Sequence, residues 1–591
     1  MRTSRSHTPP PDLGPQHAST RGRPLHLPGI RSWSAILPWV APLLFLAVFF
    51  LYPLAHILWL GLNPLSIQSI TVAAYGRAGS VLLFTFYQAF LSTLLTLALG
   101  LPVAFLFARY DFRLKPFLRT LIAIPFMLPT VVVAAGFSSL LGPRGWLNIA
   151  LMRVFNLQAA PILFAGTLGA ILLAHIFYNT TIVVRIVGNA LSRLDPRLAQ
   201  AARSLGASPM QVFWRVTLAL LRSPILAAAF LVFIFDFTSF GVILLLGGPS
   251  FSTLEVEIYK QAISFYNLPL AALLSLIQLL CTLAFSIIYT RLISRTAVTV
   301  HPRLNPAVRP HGFPQHLFVT SFCVLLITFY VLPLSALPLR SVTRLEADAG
   351  QRGQVHYGLT TDYYSELFIN RRDSIFYVPP FAAIGNSLGY GVLTVLLSLS
   401  LGFPAAAALA RPGRLERLLD PLLILPLGAS AVTLGLGLII TFNKPLFGSS
   451  FVLLTSPILV PIAHTIIALP FVIRTLQPAL ASIPNRLRQA AAVLGATPLR
   501  VWYAVDWPII ARAGLSAAVF AFTVSLGEFG ASSLVVRPEY PTLPIAIARF
   551  LSQPGGLNYG QAMAMATILM VVCGAAILFI ERLRLPGTGE F

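Results

Sequence analysis

The sequence predicts an all-α polytopic membrane protein of about 12 transmembrane helices, built as two tandem six-helix halves with parallel pseudo-two-fold symmetry. Three observations predict it. The 591 residues are 57% hydrophobic and only 10% charged, with a mean hydropathy of +0.81, whereas a soluble domain carries about 25% charged residues. Apolar runs long enough to cross a bilayer, about 20 residues, recur along the whole chain. The second half of the chain also repeats the first: at an offset of 289, residues 174–258 align with 463–547 without a gap, and 28 of the 85 positions are identical.

The first-half spans are expected near 35–61, 83–108, 118–142, 160–187, 215–247 and 268–293, and the second-half spans near 317–340, 383–410, 416–442, 449–476, 513–537 and 561–582. The net charge of +23 and the pI near 10.8 are spread over short loops rather than gathered on one soluble module, which argues against a nucleic-acid partner. They read instead as topology. Arg2, Arg5, Arg21, Arg23 and Arg31 precede the first span; Arg109, Arg113, Lys115 and Arg119 fill the second loop. Arg193, Arg197 and Arg203, then Arg291, Arg295 and Arg303, then Arg411, Arg414 and Arg417, and last Arg582 and Arg584 fall on the same side by parity. The positive-inside rule makes that side cytoplasmic, with both termini inside. Residues 1–32, rich in Pro, His, Ser and Arg, read as a disordered basic cytoplasmic arm. The first apolar stretch is long enough to remain as a helix, so it is not read as a cleaved signal.

The segment 341–382, with Asp348, Asp362, Glu366, Arg371, Arg372 and Asp373, is expected as the one long outer loop. Cys281, Cys323 and Cys573 all fall in predicted spans and read as small core residues rather than a metal or disulfide set.

Composition alone does not produce the polar coincidences of the repeat: His175 with His464, Arg185 with Arg474, Gln200 with Gln489, Gly206 with Gly495 and Pro209 with Pro498. Gly100, Pro102, Ala108 and Arg109 echo Gly402, Pro404, Ala410 and Arg411 at an offset of 302. Six spans return the chain to its starting side, so the two copies share one orientation, related by an axis along the membrane normal. The first half is then 33–293, the second 317–585, and the stretch 294–316, with Pro302, Pro306, Pro310 and Pro314, an extended cytoplasmic linker.

Between the fourth and fifth spans of each half lies a segment too polar to span and too regular for a loose loop. The copies read RLDPRLAQAARSLGASPMQVFWRVTLAL from Arg193 and SIPNRLRQAAAVLGATPLRVWYAVDWPII from Ser482. Leu198, Ala201, Ala202 and Leu205 share one helical face, and Gly206 stands where a helix C-cap belongs. Ser208 and Thr497 are placed to cap a second helix, with Pro209 and Pro498 at its first position. Each copy therefore predicts a stiff two-helix elbow, at about 193–220 and 482–509.

This pattern resembles the EAA loop of binding-protein-dependent ABC importer permeases of the type I fold, and the resemblance covers nearly the whole chain as two fused permease domains. It implies that the elbows are coupling elements that dock on separate ATPase subunits. The docking positions it implies are Gln200, Ala201, Ala202 and Gly206, with Gln489, Ala490, Ala491 and Gly495. Glutamine stands where the family has glutamate in both copies, and the family's terminal proline survives only as Pro508, with Leu218 and Ala219 in that region of the first copy. The resemblance further implies two copies of an ATPase on the cytoplasmic face, a solute-binding protein on the other, and a prokaryotic plasma (inner) membrane location. No G-x-x-x-x-G-K-[ST] string occurs, and the three lysines are Lys115, Lys260 and Lys444. ATP is expected to bind to partner subunits, with no cofactor, metal or catalytic residue in this chain.

Ionisable groups inside spans are functional candidates by default. Asp236 and Glu528, in FIFDFTSFG and VSLGEFGASS of the two fifth spans, and the matched His175 and His464, are the candidates for a translocation path or gate. A helix-packing role is the competing reading for each. A secondary transporter also often has twelve spans and parallel repeats, but has no use for two matched elbows. A membrane enzyme would be expected to show a clustered ligand string such as H-E-x-x-H, which is absent. The SLGEFG string followed by RPEYPTLPIAIARFL resembles the iron(III) and thiamine branch, with iron(III) the first expectation and thiamine, polyamine or another small solute the alternatives.

Overall fold

The computed structural model describes residues 33–68, 72–294, 307–345, 358–369, 379–410, 413–445 and 452–583. The 1–32 arm, most of the 294–316 linker, Asp348, Arg371, Arg372 and Asp373 of the long loop, and Arg295, Arg303, Arg411 and Arg584 of the charge pattern lie outside the described residues.

Ten helices among the described residues are long and apolar enough to cross a membrane, and two bent pairs raise the number to as many as 12. In chain order the crossings are Leu37–Leu62, Tyr75–Arg109, the pair Lys115–Met127 and Thr130–Phe155, Leu168–Ser192, Pro209–Phe237 and Leu268–Arg291. The second half follows with Gly312–Ser341, Pro380–Leu409, the pair Arg414–Gly428 and Ala431–Phe442, Leu459–Ala481, Leu499–Gly527 and Gly556–Phe579. The third crossing of each half is broken, by 112° in the first and 96° in the second.

Several span boundaries change, among them the start of the second half's fourth span, at Leu459 rather than near 449. The first half's fourth span starts at Leu168 rather than near 160, because Gly166 takes a positive φ of 79° and Thr167 then caps the helix by accepting from Ala170 N at 3.2 Å. The fifth spans stop at Phe237 and Gly527 rather than near 247 and 537, and short separate helices, Gly241–Leu246 and Gly530–Val535, follow each stop. Hydropathy runs straight through both stops, so only the polar residues Asp236, Ser239 and Glu528 mark them.

The halves exchange their first spans. The segment Tyr52–Leu62 packs on Ala431–Phe442 of the second half, and Gly312–Ser341 packs on Thr130–Leu141 of the first. Both exchanges use a glycine at the same place. A Cβ on Gly136 would lie 3.0 Å from Pro333 O, and one on Gly437 would lie 3.0 Å from Pro53 Cβ and 3.3 Å from its carbonyl oxygen. Small residues let helix backbones approach this closely in a bilayer, where burial of apolar surface gives no advantage over lipid. His56 Nδ1 adds a hydrogen bond to Thr441 Oγ1 at 3.1 Å across one exchange, and Trp146 Nε1 donates to Ala336 O at 3.3 Å across the other.

The described part of the long loop is folded. Thr343 and Arg344 pair antiparallel with Leu359 and Gly358, a short helix follows at Asp362–Ser365, and Tyr363 is buried against Gly560. Arg340, fully buried, donates to Thr343 O at 2.7 Å and sits over the Tyr559 ring at 5.3 Å. The described end of the linker docks on the first half through Val308, which exchanges 3.0 Å backbone hydrogen bonds with Arg109 and Asp111. Cys323 and Cys573 are buried, Cys281 is half-buried, and all three are free thiols.

Gly136→Val and Gly437→Val should each destabilise the protein by about 1–3 kcal/mol through overpacking, seen as a lower melting temperature in detergent. Unchanged melting for both would mean that the halves do not meet at these glycines.

Candidate functional site

The elbows form as their sequence dictates. In the first copy the helix Pro196–Ser204 starts at Asp195, whose carboxylate accepts from Arg197 N at 2.9 Å. It ends in a left-handed turn: Gly206 has φ +88°, its N–H donates to Arg203 O at 2.9 Å, and Ala207 N donates to Ala202 O at 3.0 Å. The second copy repeats this after Asn485–Val493, with Gly495 at φ +82°, Gly495 N to Ala492 O at 3.0 Å and Ala496 N to Ala491 O at 3.0 Å. These paired bonds make the Schellman cap, and only glycine takes that φ without penalty. The next helix opens with a capping box in the first copy, Gln211 N to Ser208 Oγ at 3.3 Å and Ser208 N to Gln211 Oε1 at 2.9 Å. In the second, Thr497 Oγ1 accepts from Arg500 N at 3.4 Å.

Each elbow then runs into its fifth span through one π-helical turn, Phe213–Thr217 and Trp502–Asp506, at the same 289-residue offset. Such turns are rare and recur at functional sites. The second elbow carries a strut that the first lacks. Arg488 Nε contacts Asp506 Oδ1 at 2.8 Å, and the matching first-half positions are Ala199 and Thr217.

Gln200, Ala201 and Gly206 are exposed and Ala202 half-exposed; Gln489, Ala490 and Gly495 are exposed and Ala491 half-exposed. Around them stand bare apolar side chains, Leu205 at 88% exposure and Leu494 at 87%, with Met210 and Leu499 beside them. Two matched patches of exposed apolar surface on rigid caps are what a protein partner covers.

The four intramembrane candidates fall into two pairs, each inside its own half. In the first half His175 Nδ1 lies 3.4 Å from Asp236 Oδ1 and Nε2 lies 2.8 Å from Ser239 Oγ. Asn179 Nδ2 donates to Asp236 Oδ1 at 2.6 Å, and Gln88 Nε2 donates to the Asp236 carbonyl at 2.8 Å. In the second half His464 Nδ1 lies 2.7 Å from Ser525 Oγ, and Nε2 lies 2.8 Å from Ser532 Oγ and 3.5 Å from Glu528 Oε2.

Repeat register explains the pattern. Asp236 aligns with Ser525 and Ser239 with Glu528, so each histidine faces one carboxylate and one serine three residues apart, in opposite order. The offset of three positions between Asp236 and Glu528 is thus one exchange of partners within one site, legible only once the histidines were seen to bridge them.

One donor direction satisfies the whole second cluster: Thr394 to Ser525, Ser525 to His464 Nδ1, a neutral His464 Nε2–H to Ser532, and Ser532 Oγ to Glu528 Oε2 at 2.7 Å. Glu528 also accepts from Ala531 N and Ser532 N, both at 2.8 Å, and so caps the helix that restarts after the break. All four candidates are buried. Each has its contacts within its own half, at the break where the fifth span stops.

The breaks present two other residues to the junction of the halves. Phe240 and Phe529, equivalent at the 289 offset, stack with ring centroids 5.5 Å apart and planes at 29°. Glycines follow both: a Cβ on Gly241 would lie 2.3 Å from Thr130 Oγ1, and one on Gly530 2.9 Å from Ala431 Cβ. Thr130 and Ala431 are the first residues after the breaks in the third spans, so four interruptions meet at one level. This pair was available in the repeat as one identity among many apolar ones.

Comparison with known proteins bears on the whole chain. Residues 100–298 match the family described as "Binding-protein-dependent transport system inner membrane component". The thiamine transport system permease protein ThiP of Brucella suis is 30% identical over 510 residues, covering 84% of this chain and 86% of that protein. The ThiP protein of Escherichia coli is 28% identical over 526 residues, covering 86% and 89%. A probable ABC transporter permease, y4fN of Sinorhizobium fredii, is 28% identical over 485 residues, covering 80% and 82%. With its broken spans, duplicated elbows and near full-length relatives, the chain belongs to the family of binding-protein-dependent transport system inner membrane components, a fused two-domain ABC importer permease.

Proposed function

We propose that this chain is the permease of an ATP-driven thiamine importer. The observation that carries the reading is the set of relatives named for thiamine transport, each aligned over more than four-fifths of this chain. The iron(III) expectation rested on the fusion of the two halves and on the SLGEFG string followed by RPEYPTLPIAIARFL, and no relative named here supports it; Glu528 within the first string has a local use as a helix cap.

Two ATPase subunits bind the elbows on the cytoplasmic side, where both termini also lie, and a loaded binding protein docks on the opposite face. Gln200, Ala201, Ala202 and Gly206, with Gln489, Ala490, Ala491 and Gly495, are the contact positions. The Schellman glycines keep each elbow rigid, so that closure of the ATPases is passed through the π-helical turns to the fifth spans. His175 and His464 fix the breaks at the far ends of those spans, with Asp236 and Glu528 as their partners.

Reconstituted with its ATPase and binding protein in proteoliposomes, the wild type should take up labelled thiamine only with ATP. Gly206→Val with Gly495→Val should cut uptake at least ten-fold while the protein still inserts. Uptake of iron(III) in place of thiamine, or uptake that persists without ATP, contradicts the reading.

His464→Ala removes the link between Ser525 and Ser532 and leaves the buried Ser525 hydroxyl without its acceptor, at about 1–3 kcal/mol. It should lower both the melting temperature in detergent and the uptake rate, with partial recovery in His464→Gln. Wild-type values for both would remove the holding role.

A further inference from the structure

Among the described residues, a buried carboxyl, Glu255, and the rings of Tyr259, Phe240 and Phe529 gather near the junction of the two halves, and neither the elbows nor the histidine clusters use them. Phe240 and Phe529 are repeat equivalents in contact, and two residues related by a two-fold axis can touch only by straddling that axis. Their stack therefore lies on the symmetry axis of the permease, ringed by the four interrupted spans. Non-helical backbone at membrane depth is tolerated only where protein buries it or where it lines a path, and discontinuous helices at a repeat interface are where transporters place solutes.

Tyr259 packs against Phe240 at 5.5 Å and 61°. One helical turn before it on the helix Leu254–Tyr259 stands Glu255, on the same face and 1% exposed. Gln278 Nε2 donates to Glu255 Oε1, and Oε2 has no hydrogen-bond partner among the described residues. The Ser430 hydroxyl, at the break in the second half's third span, stands beside this carboxyl and also hydrogen-bonds with Thr433 Oγ1 at 2.9 Å. The repeat places Pro544 at the position matching Glu255, so the carboxyl group is present on one side of the axis only. Duplicated architecture does not require it, and a carboxylate buried with a free acceptor is costly to keep. The sequence did not single it out, because FSTLEVEIYK reads as a loop between spans when it is a buried helix.

We infer that Glu255, Tyr259, Phe240 and Phe529 form a recognition site in the translocation path for an organic cation bearing a flat heteroaromatic ring. The inference rests on the thiamine reading, since the thiazolium of thiamine carries a permanent positive charge on an aromatic ring. Aromatic faces attract such a cation through their quadrupole; burial pushes the Glu255 carboxyl up to about 8, and it gives up its proton to supply the counter-charge when the cation enters. In the closed arrangement the two phenylalanines satisfy each other; in the open one each presents its face to the passing ring.

The test uses the full chain with its ATPase and binding protein in proteoliposomes, with labelled thiamine as the probe. Glu255→Gln, close to isosteric, should lower ATP-dependent thiamine uptake at least ten-fold at unchanged melting temperature, and Glu255→Asp should recover part of it. Phe240→Leu with Phe529→Leu keeps an apolar plug without π faces and should lower uptake at least five-fold, whereas Phe240→Tyr with Phe529→Tyr should retain most of it. Wild-type uptake in Glu255→Gln, or in the leucine pair, overturns the site while leaving the thiamine reading intact. A wild type that imports the heteroaromatic cation N-methylpyridinium but not thiamine, with the same dependence on Glu255, overturns the thiamine reading while the site stands. A wild type that imports neither overturns both.

Discussion

A helix that stops inside a bilayer strands backbone N–H and C=O groups where no water can take them, and the centre of this molecule is organised around four such stops. Two lie in the third spans and two in the fifth. At the second-half stop in the fifth span, Glu528 takes two of the stranded N–H groups and His464 fixes Glu528's neighbours. At the first-half stop, His175 and Asn179 grip the end of the span through Asp236 and Ser239. These buried polar clusters make interruption tolerable, and interruption brings Phe240 and Phe529 to the axis.

The duplication has kept the mechanical plan while letting the chemistry drift. The Schellman glycines, π-helical turns, histidines and axial phenylalanines recur at one offset. The carboxylate and the serine beside each histidine have exchanged places, so that each imidazole still stands between one of each, hydrogen-bonded among the described residues through Nε2 alone in the first half and through both nitrogens in the second. Other departures are one-sided. Arg488 and Asp506 brace only the second elbow, and Glu255 is present only in the first half. On the thiamine reading the solute is asymmetric, so one-sided features at the axis are where recognition is to be sought.

Much of this was legible in the sequence. Hydropathy located every crossing, and the elbow caps followed from Gly206, Ser208, Gly495 and Thr497 because capping is local chemistry that needs no tertiary partner. The stops in the fifth spans were not legible: Gly241–Leu246 and Gly530–Val535 are as apolar as the spans they follow, and hydropathy does not register direction. Nor was the pairing of His175 with Asp236 or His464 with Glu528, which depends on how the fourth and fifth spans pack. Glu255 was missed for the opposite reason, since a charged residue between spans reads as exposed until the helix carrying it is seen to fold back into the junction. The exchange of first spans between halves left no sequence signal, because a glycine in an apolar run does not name the helix that packs on it; Gly437 becomes specific only with Pro53 opposite.

The central claim is that solute passes between the halves at the Phe240–Phe529 contact, and a reversible tether there tests it most directly. With Cys281, Cys323 and Cys573 replaced by serine, Phe240→Cys and Phe529→Cys should cross-link with a short thiol-reactive linker, and the linked permease should lose ATP-driven thiamine uptake until a cleavable linker is cut. Efficient cross-linking with uptake undiminished would place the path elsewhere and contradict the account.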